Sequence, residues 1–580
     1  MKPLPTRNHQ LPLRRAAFRT VPEMLDYAAG GGTGVSFFNA KGELLSTLPW
    51  REVQARAHVA ARKLIGAGFA PGERLLITAD TWPGFFDAFF GAQYAGLLPV
   101  PISMPVGIGG KAAYLEQLRR QFAASGAVAA LGLDDLAGYL AEVAREFPAV
   151  RLHGGMEVLD ALPEKAVDLR PLGPADLCYI QFSSGSTRHP HGVQITQAGL
   201  MANLAGITGP AGLDVNEGDR ATSWLPLYHD MGLIGFLMSP LAAQLSIDYL
   251  TPRDFARRPM QWLNLISRNR ATIAYSPSFG YDLATRRGAQ QVPDDLDLSC
   301  WRHAGIGGDM VRPDVLDRFV RAFEPRGFRR SAFIPSYGMA EVCLAITFCP
   351  HGTGVRTDSV DRTALAEAQR AEPAANPQDS QRARRFVVCG RVLPGHELQV
   401  RDEAGKVLGE RGVGRIFVKG PSIMPGYFRE PDATREVLSA DGWLDTGDLG
   451  YMLASEIVVT GRAKDLIIVN GRNIWPQDIE WAVEADKVVK AGDAAAFSVE
   501  GADGERVVVA VVARVSGEEA KGALARDVAG AVREAVAVDC DVVLVPPAIG
   551  LPMTSSGKLS RARAKANYLA GLYAPKPAAA

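Results

Sequence analysis

Between Val53 and Ile102 the chain alternates helical and extended patterns, and that alternation confines it to a layered α/β fold. Alanines and aliphatics recur three and four apart over Val53–Gly68, which predicts an amphipathic helix ending near Gly66 and Gly68. Pro71-Gly72 makes a turn before Arg74–Thr78, a predicted buried strand. Trp82–Ala95 has helical composition and leads into a second short apolar strand at Leu97–Ile102. The mixed pattern continues through Phe236–Leu250, Trp262–Ile273 and Val315–Phe323.

A length of 580 residues exceeds what one continuous core supports, so two or more domains are expected. Short strands separated by Gly/Pro turns are predicted at Phe386–Cys389, Glu397–Val400 and Gly414–Val418, then at Ile457–Thr460 and Leu466–Val469. The last two flank Gly461-Arg-Ala-Lys-Asp465, and a boundary is expected at Lys464. Residues 1–463 then form a large core and 464–580 a small α+β domain. That small domain should carry a helix near Pro476–Ala485, strands near Ala494–Val499 and Arg506–Val515, and a last strand at Asp541–Val545. Polar and alanine-rich residues from about His351 to Arg385 read as a partly helical excursion inserted into a β-rich region.

Composition removes several function classes. Sixty-three basic residues balance sixty-three acidic ones, so no global charge favours nucleic acid. Six cysteines, at 178, 300, 343, 349, 389 and 540, are dispersed without a CxxC pair or zinc-type spacing. They read as reduced interior residues of a cytoplasmic protein. The N-terminus has arginines but no continuous apolar segment of the secretory kind. No stretch suits a bilayer span. Leu233–Leu250 comes nearest, and Pro240, Gln244 and Asp248 mark it as buried globular structure instead.

The stretch Tyr179-Ile-Gln-Phe-Ser-Ser-Gly-Ser-Thr-Arg-His-Pro-His-Gly-Val193 carries the first chemistry. An apolar extended run ends in small hydroxyl residues, one glycine, a basic pair and a proline. Ser183, Ser184, Gly185, Ser186 and Thr187 have no bulk to exclude an anion, and their N–H groups and hydroxyls suit phosphate oxygens. A polar surface loop has the same composition. Distant segments decide between the two.

Those segments are Trp224-Leu-Pro-Leu-Tyr-His-Asp-Met-Gly-Leu233, Ser336-Tyr-Gly-Met-Ala-Glu341, Asp441-Gly-Trp-Leu-Asp-Thr-Gly-Asp448, Gly461-Arg-Ala-Lys-Asp465 and Pro552-Met-Thr-Ser-Ser-Gly-Lys-Leu-Ser-Arg561. In this order, over residues 20 to 570, the chain resembles the adenylate-forming superfamily of acyl-CoA synthetases, peptide-synthetase adenylation domains and luciferases. Arg188-His-Pro-His-Gly-Val, Cys389-Gly-Arg-Val-Leu-Pro-Gly, Gly471-Arg-Asn-Ile-Trp-Pro-Gln-Asp-Ile-Glu480 and the excursion at 351–385 bring it nearest to the fatty acyl-AMP ligases. Two departures stand out: His191 replaces the lysine of many phosphate loops, and Gly307-Gly-Asp-Met310 replaces Gly-Ala-Glu-Pro near adenine.

The resemblance implies an α/β fold, with a large multi-subdomain adenylate-forming N-terminal domain and a small mobile α+β C-terminal domain. It implies a fatty acid and ATP with Mg2+ as reactants, and acyl-adenylate and pyrophosphate as products. The acyl group then passes to the phosphopantetheine of an acyl carrier protein on a separate chain, since no carrier motif is evident here. No nucleic acid, no membrane-integral segment and no particular oligomer is implied. Ser183–Thr187 would surround the phosphates with His191 at the loop's exit, and Thr187 and Glu341 would serve Mg2+. Gly307, Gly308, Asp309, Ser336, Tyr337, Gly338 and Met339 would line the nucleotide site. Asp445 would accept from the ribose hydroxyls and Arg462 would reinforce the ribose or phosphate end. His229, Asp230, Met231 and Gly232 would border the acyl channel. Lys558 would be the catalytic cation and Lys464 the hinge.

Alternatives remain at single residues. Outside the resemblance, Asp445 and Arg462 read equally as surface ion-pair residues, Tyr337-Gly338 as a core turn, and Glu341 as a helix cap. Adjacency alone does not make His229 and Asp230 a dyad, because neighbouring side chains often diverge. Phe182 is expected in the core, and Phe236, Leu237 and Met238 either pack a helix or line the acyl pocket. Two other functions fit the same sequence: an acyl-CoA ligase, and a dormant acyl-nucleotide or carrier-binding protein. The full set Thr187, Glu341, Asp445, Arg462 and Lys558 disfavours the dormant reading.

Overall fold

A computed structural model describes residues 2–6, 11–104, 110–183, 190–288, 292–379, 381–469, 472–485, 489–501, 504–554 and 558–573. Its largest sheet has nine strands. Six run parallel across the middle: Phe333–Gly338, His303–Ile306, Ile273–Ser276, Ala221–Ser223, Ile247–Tyr249 and Gly34–Phe38. Antiparallel strands close both edges, Leu44–Pro49 on one side and Ala345–Phe348 with Arg391–Val392 on the other. The parallel strands have almost no polar face; Ile273–Ser276 and His303–Ile306 are buried throughout. Helices on both sides of a parallel sheet require that pattern.

The first alternating segment builds a second, four-stranded parallel sheet from Leu98–Ile102, Arg74–Thr78, Ala129–Leu131 and Leu152–Gly154. The helix expected over Val53–Gly68 spans Trp50–Gly66 and packs on Pro83–Ala95. An aromatic run, Phe85, Phe86, Phe89 and Phe90, fills the space beneath. A large apolar cluster joins this helix pair to the nine-stranded sheet, and a second cluster around Leu76, Val100 and Ala130 packs the small sheet.

Beyond it, Glu397–Arg401, Gly414–Lys419, Leu444–Leu453 and Glu456–Arg462 form a four-stranded antiparallel sheet. The last segment folds Ala494–Gly501, Gly504–Val512 and Cys540–Val545 into a three-stranded sheet with Pro476–Ala485 and Glu518–Val536 against it. Two separate apolar clusters hold that sheet. The expected strand at Arg506–Val515 begins and ends earlier, at Gly504–Val512, and the chain is exposed from Arg514 onward.

The excursion at 351–385 is more regular than expected. Thr357–Asp361 and Ala383–Val387 pair as an antiparallel hairpin, and the short helix Arg362–Ala368 sits between them. The strand expected at Phe386–Cys389 instead spans Ala383–Val387, and its partner Thr357–Asp361 lies where no strand is expected; Arg384 and Arg385 read as a surface turn. In fact Arg384 is only 4% exposed, stacked over Phe386 and Trp475 at 4.4 and 4.8 Å. Its Nε lies 2.9 Å from Asp478 on Pro476–Ala485, and Arg362 reaches the same carboxylate at 3.0 Å. Burial pulls the Arg384 guanidinium down to about 10 despite that carboxylate.

No helix among the described residues is long and apolar enough to cross a membrane. Leu233–Leu250 is buried, as expected, and contains a π-helical turn at Ile234–Met238. All six cysteines are unpaired, four of them buried.

Candidate active site

Open parallel sheets present their carboxyl ends to ligands, and the sequence-predicted residues gather there. Ala221–Ser223 runs out into Trp224–His229, His303–Ile306 into Gly307–Met310, and Phe333–Gly338 carries Ser336, Tyr337 and Gly338 at its end. Together with the four-stranded antiparallel sheet and the C-terminal segment they enclose a cavity of about 830 Å3, towards the upper end of the ~300–1,000 Å3 usual for ligand sites. Lining it are Ser183, His191, His229, Asp230, Met231, Gly308, Asp309, Ser336 to Met339, Glu341, Asp445, Arg462, Lys464 and Lys558. Gly307 is buried behind the lining against Ser336, and Gly232 lies in a small adjoining pocket with Trp224 and Phe279. Ser184, Gly185, Ser186 and Thr187 fall outside the described residues.

The neck of that loop is well defined. Leu177–Phe182 and Gly192–Thr196 pair antiparallel, Phe182 opposite Gly192. The Ser183 N–H donates to the His191 carbonyl at 2.9 Å, and the His191 N–H donates to Ser183 Oγ at 3.1 Å. Phe182, expected in the core, lines the cavity as well as packing behind it. His191 does not stand alone at the exit: its Nδ1 lies 2.6 Å from Glu430, and its ring stacks on Tyr427 at 4.6 Å.

Glu341 follows the sheet strand on a short 3-10 turn, Ala340–Val342. Gly338 is required to get there, since a Cβ at that position would collide with the Leu344 carbonyl. One Glu341 oxygen accepts from the Tyr427 hydroxyl at 3.0 Å. Burial pushes the carboxyl above its usual range, with the Tyr427 hydroxyl and the Arg462 charge opposing. Among the described residues no three His, Cys, Asp or Glu side chains gather as a metal cage. The half-buried, cavity-facing carboxylate of Glu341 nevertheless fits Mg2+, which keeps waters and phosphate oxygens and takes one or two carboxylates from the protein.

On the opposite wall the Tyr337 hydroxyl donates to Asp448 at 2.7 Å, and Arg462 Nε lies 3.5 Å from the same carboxyl group. Burial raises the Asp448 carboxyl, and Arg462 and the Tyr337 hydroxyl counter it. Asp445 meets Arg415 at 2.7 Å and accepts the Gly447 N–H at 2.9 Å. Each residue is therefore both an ion-pair partner and part of the lining. Tyr337-Gly338 is no plain core turn, because both face the cavity.

His229 and Asp230 do not diverge. The His229 Nδ1 lies 2.5 Å from Asp230 Oδ1, and the Met231 N–H donates to that oxygen at 2.7 Å. The cause is local: His229 is extended at the start of the helical turn Asp230–Leu233, so its ring folds back over the next residue. Burial acts to raise the Asp230 carboxyl, but the charges of His229 and Lys558 leave it below the usual range. Beside this pair the cavity turns apolar, walled by Ile207, Leu213, Phe236, Leu344 and Phe348. The π turn separates two roles left open by sequence: Phe236 faces the cavity, while Leu237 and Met238 are core.

Lys558 arrives from the C-terminal segment. The Thr554 N–H donates to its carbonyl at 2.7 Å and its own N–H donates to Thr554 Oγ1 at 3.1 Å, which pinches the loop below it. Residues 555–557 are outside the described set. Three positions on, Arg561 clamps Glu480 at 2.7 Å and Asp465 at 2.8 Å, tying the loop to the helix Pro476–Ala485 and to the turn that holds Lys464. Burial lowers the Lys558 ammonium from its ordinary value, and Asp309, Asp230 and Asp448 oppose the shift. Sequence reading assigned no role to Tyr427, Glu430, Arg415, Asp448 or Arg561. Asp448 and Arg561 end quoted motifs; the other three carry no local signal.

The chain that carries this site is similar to known proteins along almost its whole length. A family model described as AMP-binding enzyme matches residues 39–428. A putative acyl-CoA synthetase of Caulobacter vibrioides (strain NA1000 / CB15N) is 48% identical over 563 residues, 97% of this chain and 97% of that protein. A medium-chain-fatty-acid–[acyl-carrier-protein] ligase of Moorena producens (strain JHB) is 30% identical over 587 residues, 96% of each. A solved structure from work on fatty acyl-adenylate ligases of E. coli and L. pneumophila superposes with a TM-score of 0.91 at 40% identity, over 97% of this chain and 100% of that one. The chain thus belongs to the AMP-binding enzyme family. Within that family it is a fatty acyl-AMP ligase.

Proposed function

We propose that this ligase joins a fatty acid to AMP under the Lys558 ammonium, then delivers the acyl group to the phosphopantetheine thiol of a separate acyl carrier protein. The observation that carries the first half is the entry of Lys558 into the cavity that also holds Glu341, His229 and the apolar arm. One carboxylate oxygen of the fatty acid attacks the α-phosphorus, and the bond to pyrophosphate breaks. No protein nucleophile is needed; the chain must align the oxygen and neutralise charge.

In this reading His229, held by Asp230, orients the carboxylate, with Met231 and Gly232 bordering the acyl channel. Tyr337, Gly338, Gly307, Gly308, Asp309, Ser336 and Met339 hold the nucleotide's base side. Asp445 takes the ribose hydroxyls, and Arg462 the ribose or phosphate end. Ser183 to Thr187 surround the phosphates with His191 at the exit. Glu341, with Thr187, would hold Mg2+, whose contribution is to neutralise phosphate charge. Lys464 acts as the hinge between residues 1–463 and 464–580, letting Lys558 withdraw before a thiol enters. Six unpaired cysteines suit a cytoplasmic setting.

The acceptor has two readings. The Moorena producens relative is a carrier-protein ligase, which supports the carrier. The excursion gripping Asp478 through Arg362 and Arg384 supports it too, because a tethered C-terminal segment swings less freely. The Caulobacter relative carries an acyl-CoA synthetase name, which favours free CoA. The deciding experiment supplies ATP, Mg2+ and a panel of fatty acids, then CoA or phosphopantetheinylated carrier separately, and weighs acyl-AMP, acyl-CoA and acyl-carrier by mass. Dominant acyl-carrier is expected. Dominant acyl-CoA would reverse the acceptor, and no acyl-AMP would end the reading.

A further inference from the structure

The segment Gly426–Glu430 runs beside the phosphate-loop hairpin as if it were another strand. The Phe428 N–H donates to the Gly192 carbonyl at 2.7 Å and the Gln194 N–H to the Gly426 carbonyl at 3.2 Å. Tyr427 pairs with Val193 in an isolated bridge. Gly426 has a φ of +150°, and a Cβ there would stand 2.8 Å from the Thr434 methyl. The Thr434 hydroxyl then accepts the Tyr427 N–H at 2.9 Å and donates to the Glu430 carbonyl at 2.8 Å. The backbone of Tyr427 is fixed on both sides.

Its side chain spans two parts of the site. The ring stacks on His191, whose main chain closes the neck of the loop, and the hydroxyl donates to Glu341. The Met424 N–H binds the Glu341 carbonyl at 2.9 Å, so the same segment holds that residue by its backbone as well. Tyr427 is only 8% exposed, which leaves its ring little room to turn. A carboxylate held at one oxygen by this hydroxyl is restrained in its plane as it faces the cavity. Without the hydroxyl the carboxylate would rotate, and preorganisation would be lost.

We propose that Tyr427 is a positioning residue that orients Glu341 for a divalent cation on ATP and registers it against the neck of the phosphate loop through His191. This rests on the reading of Glu341 as a cation ligand. Tyr427→Phe keeps the ring and its stacking and removes only the hydroxyl. The test titrates Mn2+ by electron paramagnetic resonance, in the presence of a non-hydrolysable ATP analogue, into the full chain, Tyr427→Phe, Glu341→Gln and the double variant. Tyr427→Phe should weaken Mn2+ about tenfold, the scale of one hydrogen bond to a charged group, with its fatty-acid KM unchanged. The double variant should bind no worse than Glu341→Gln alone, since the hydroxyl acts only through that carboxylate. Unchanged Mn2+ affinity in Tyr427→Phe, or additive losses in the double variant, would overturn the proposal while leaving Glu341 as ligand. Unchanged affinity in Glu341→Gln would instead remove the reading beneath it.

Discussion

Lys558 carries a charge whose pH range is set by its surroundings. Burial lowers its ammonium, and Asp309, Asp230 and Asp448 recover only part of the loss. A lowered lysine gives up its proton sooner as pH rises, so charge-dependent catalysis must fail at a lower pH than an ordinary lysine would allow. In the ternary complex the phosphates add negative charge and move that limit back up. The alkaline limb of kcat/KM for ATP, which reports the enzyme before the phosphates bind, should therefore fall below both the usual lysine range and the limb of kcat. Coincident limbs in the ordinary lysine range would contradict the burial argument. The same residue shows what sequence reveals at this scale. A lysine behind Ser-Ser-Gly was legible as a cation, but the carboxylates that surround it come from positions 230, 309 and 448, which no local pattern links. His229 and Asp230 failed in the other direction. They are adjacent, and only the extended backbone at the start of a helical turn brings their side chains together.

Helices and strands were legible where period and burial coincide. Arg74–Thr78 and Pro476–Ala485 have the bounds expected of them, since each is flanked by turn or proline signals. The hairpin within 351–385 was hidden because its buried residue is an arginine, whose aliphatic and planar parts pack on Phe386 and Trp475 while the charge finds Asp478. That contact makes a prediction about elements. Asp478→Ala leaves Arg384 buried without its carboxylate, a change that costs ~3–5 kcal/mol for fully buried pairs. The excursion should loosen from Pro476–Ala485, seen as faster amide hydrogen exchange over Thr357–Asp361 and Ala383–Val387. If the tether restrains the C-terminal segment, acyl-CoA should rise relative to the parent at an unchanged rate of acyl-AMP formation. Faster exchange with no change in acceptor would separate stability from acceptor choice and count against the tether.

The whole molecule is a large sheet-built body and a small segment that brings Lys558 to its cavity. The α/β class was readable from the alternation of helical and extended periods, whereas the order of motifs carried meaning only through the resemblance to a known family. The closure of the cavity was not readable, because it depends on Arg561 joining Asp465 to Glu480 and on the Lys558 loop meeting strands more than two hundred residues away. The account therefore stands on one act of reach. Replacing Lys558 by alanine and measuring fatty-acid-dependent pyrophosphate release beside ATP affinity tests it directly. ATP should bind within about threefold of the parent while adenylate formation falls by a factor of about 10²–10³, the scale of losing one preorganised charge-stabilising group. Near-normal pyrophosphate release by Lys558→Ala would contradict the account.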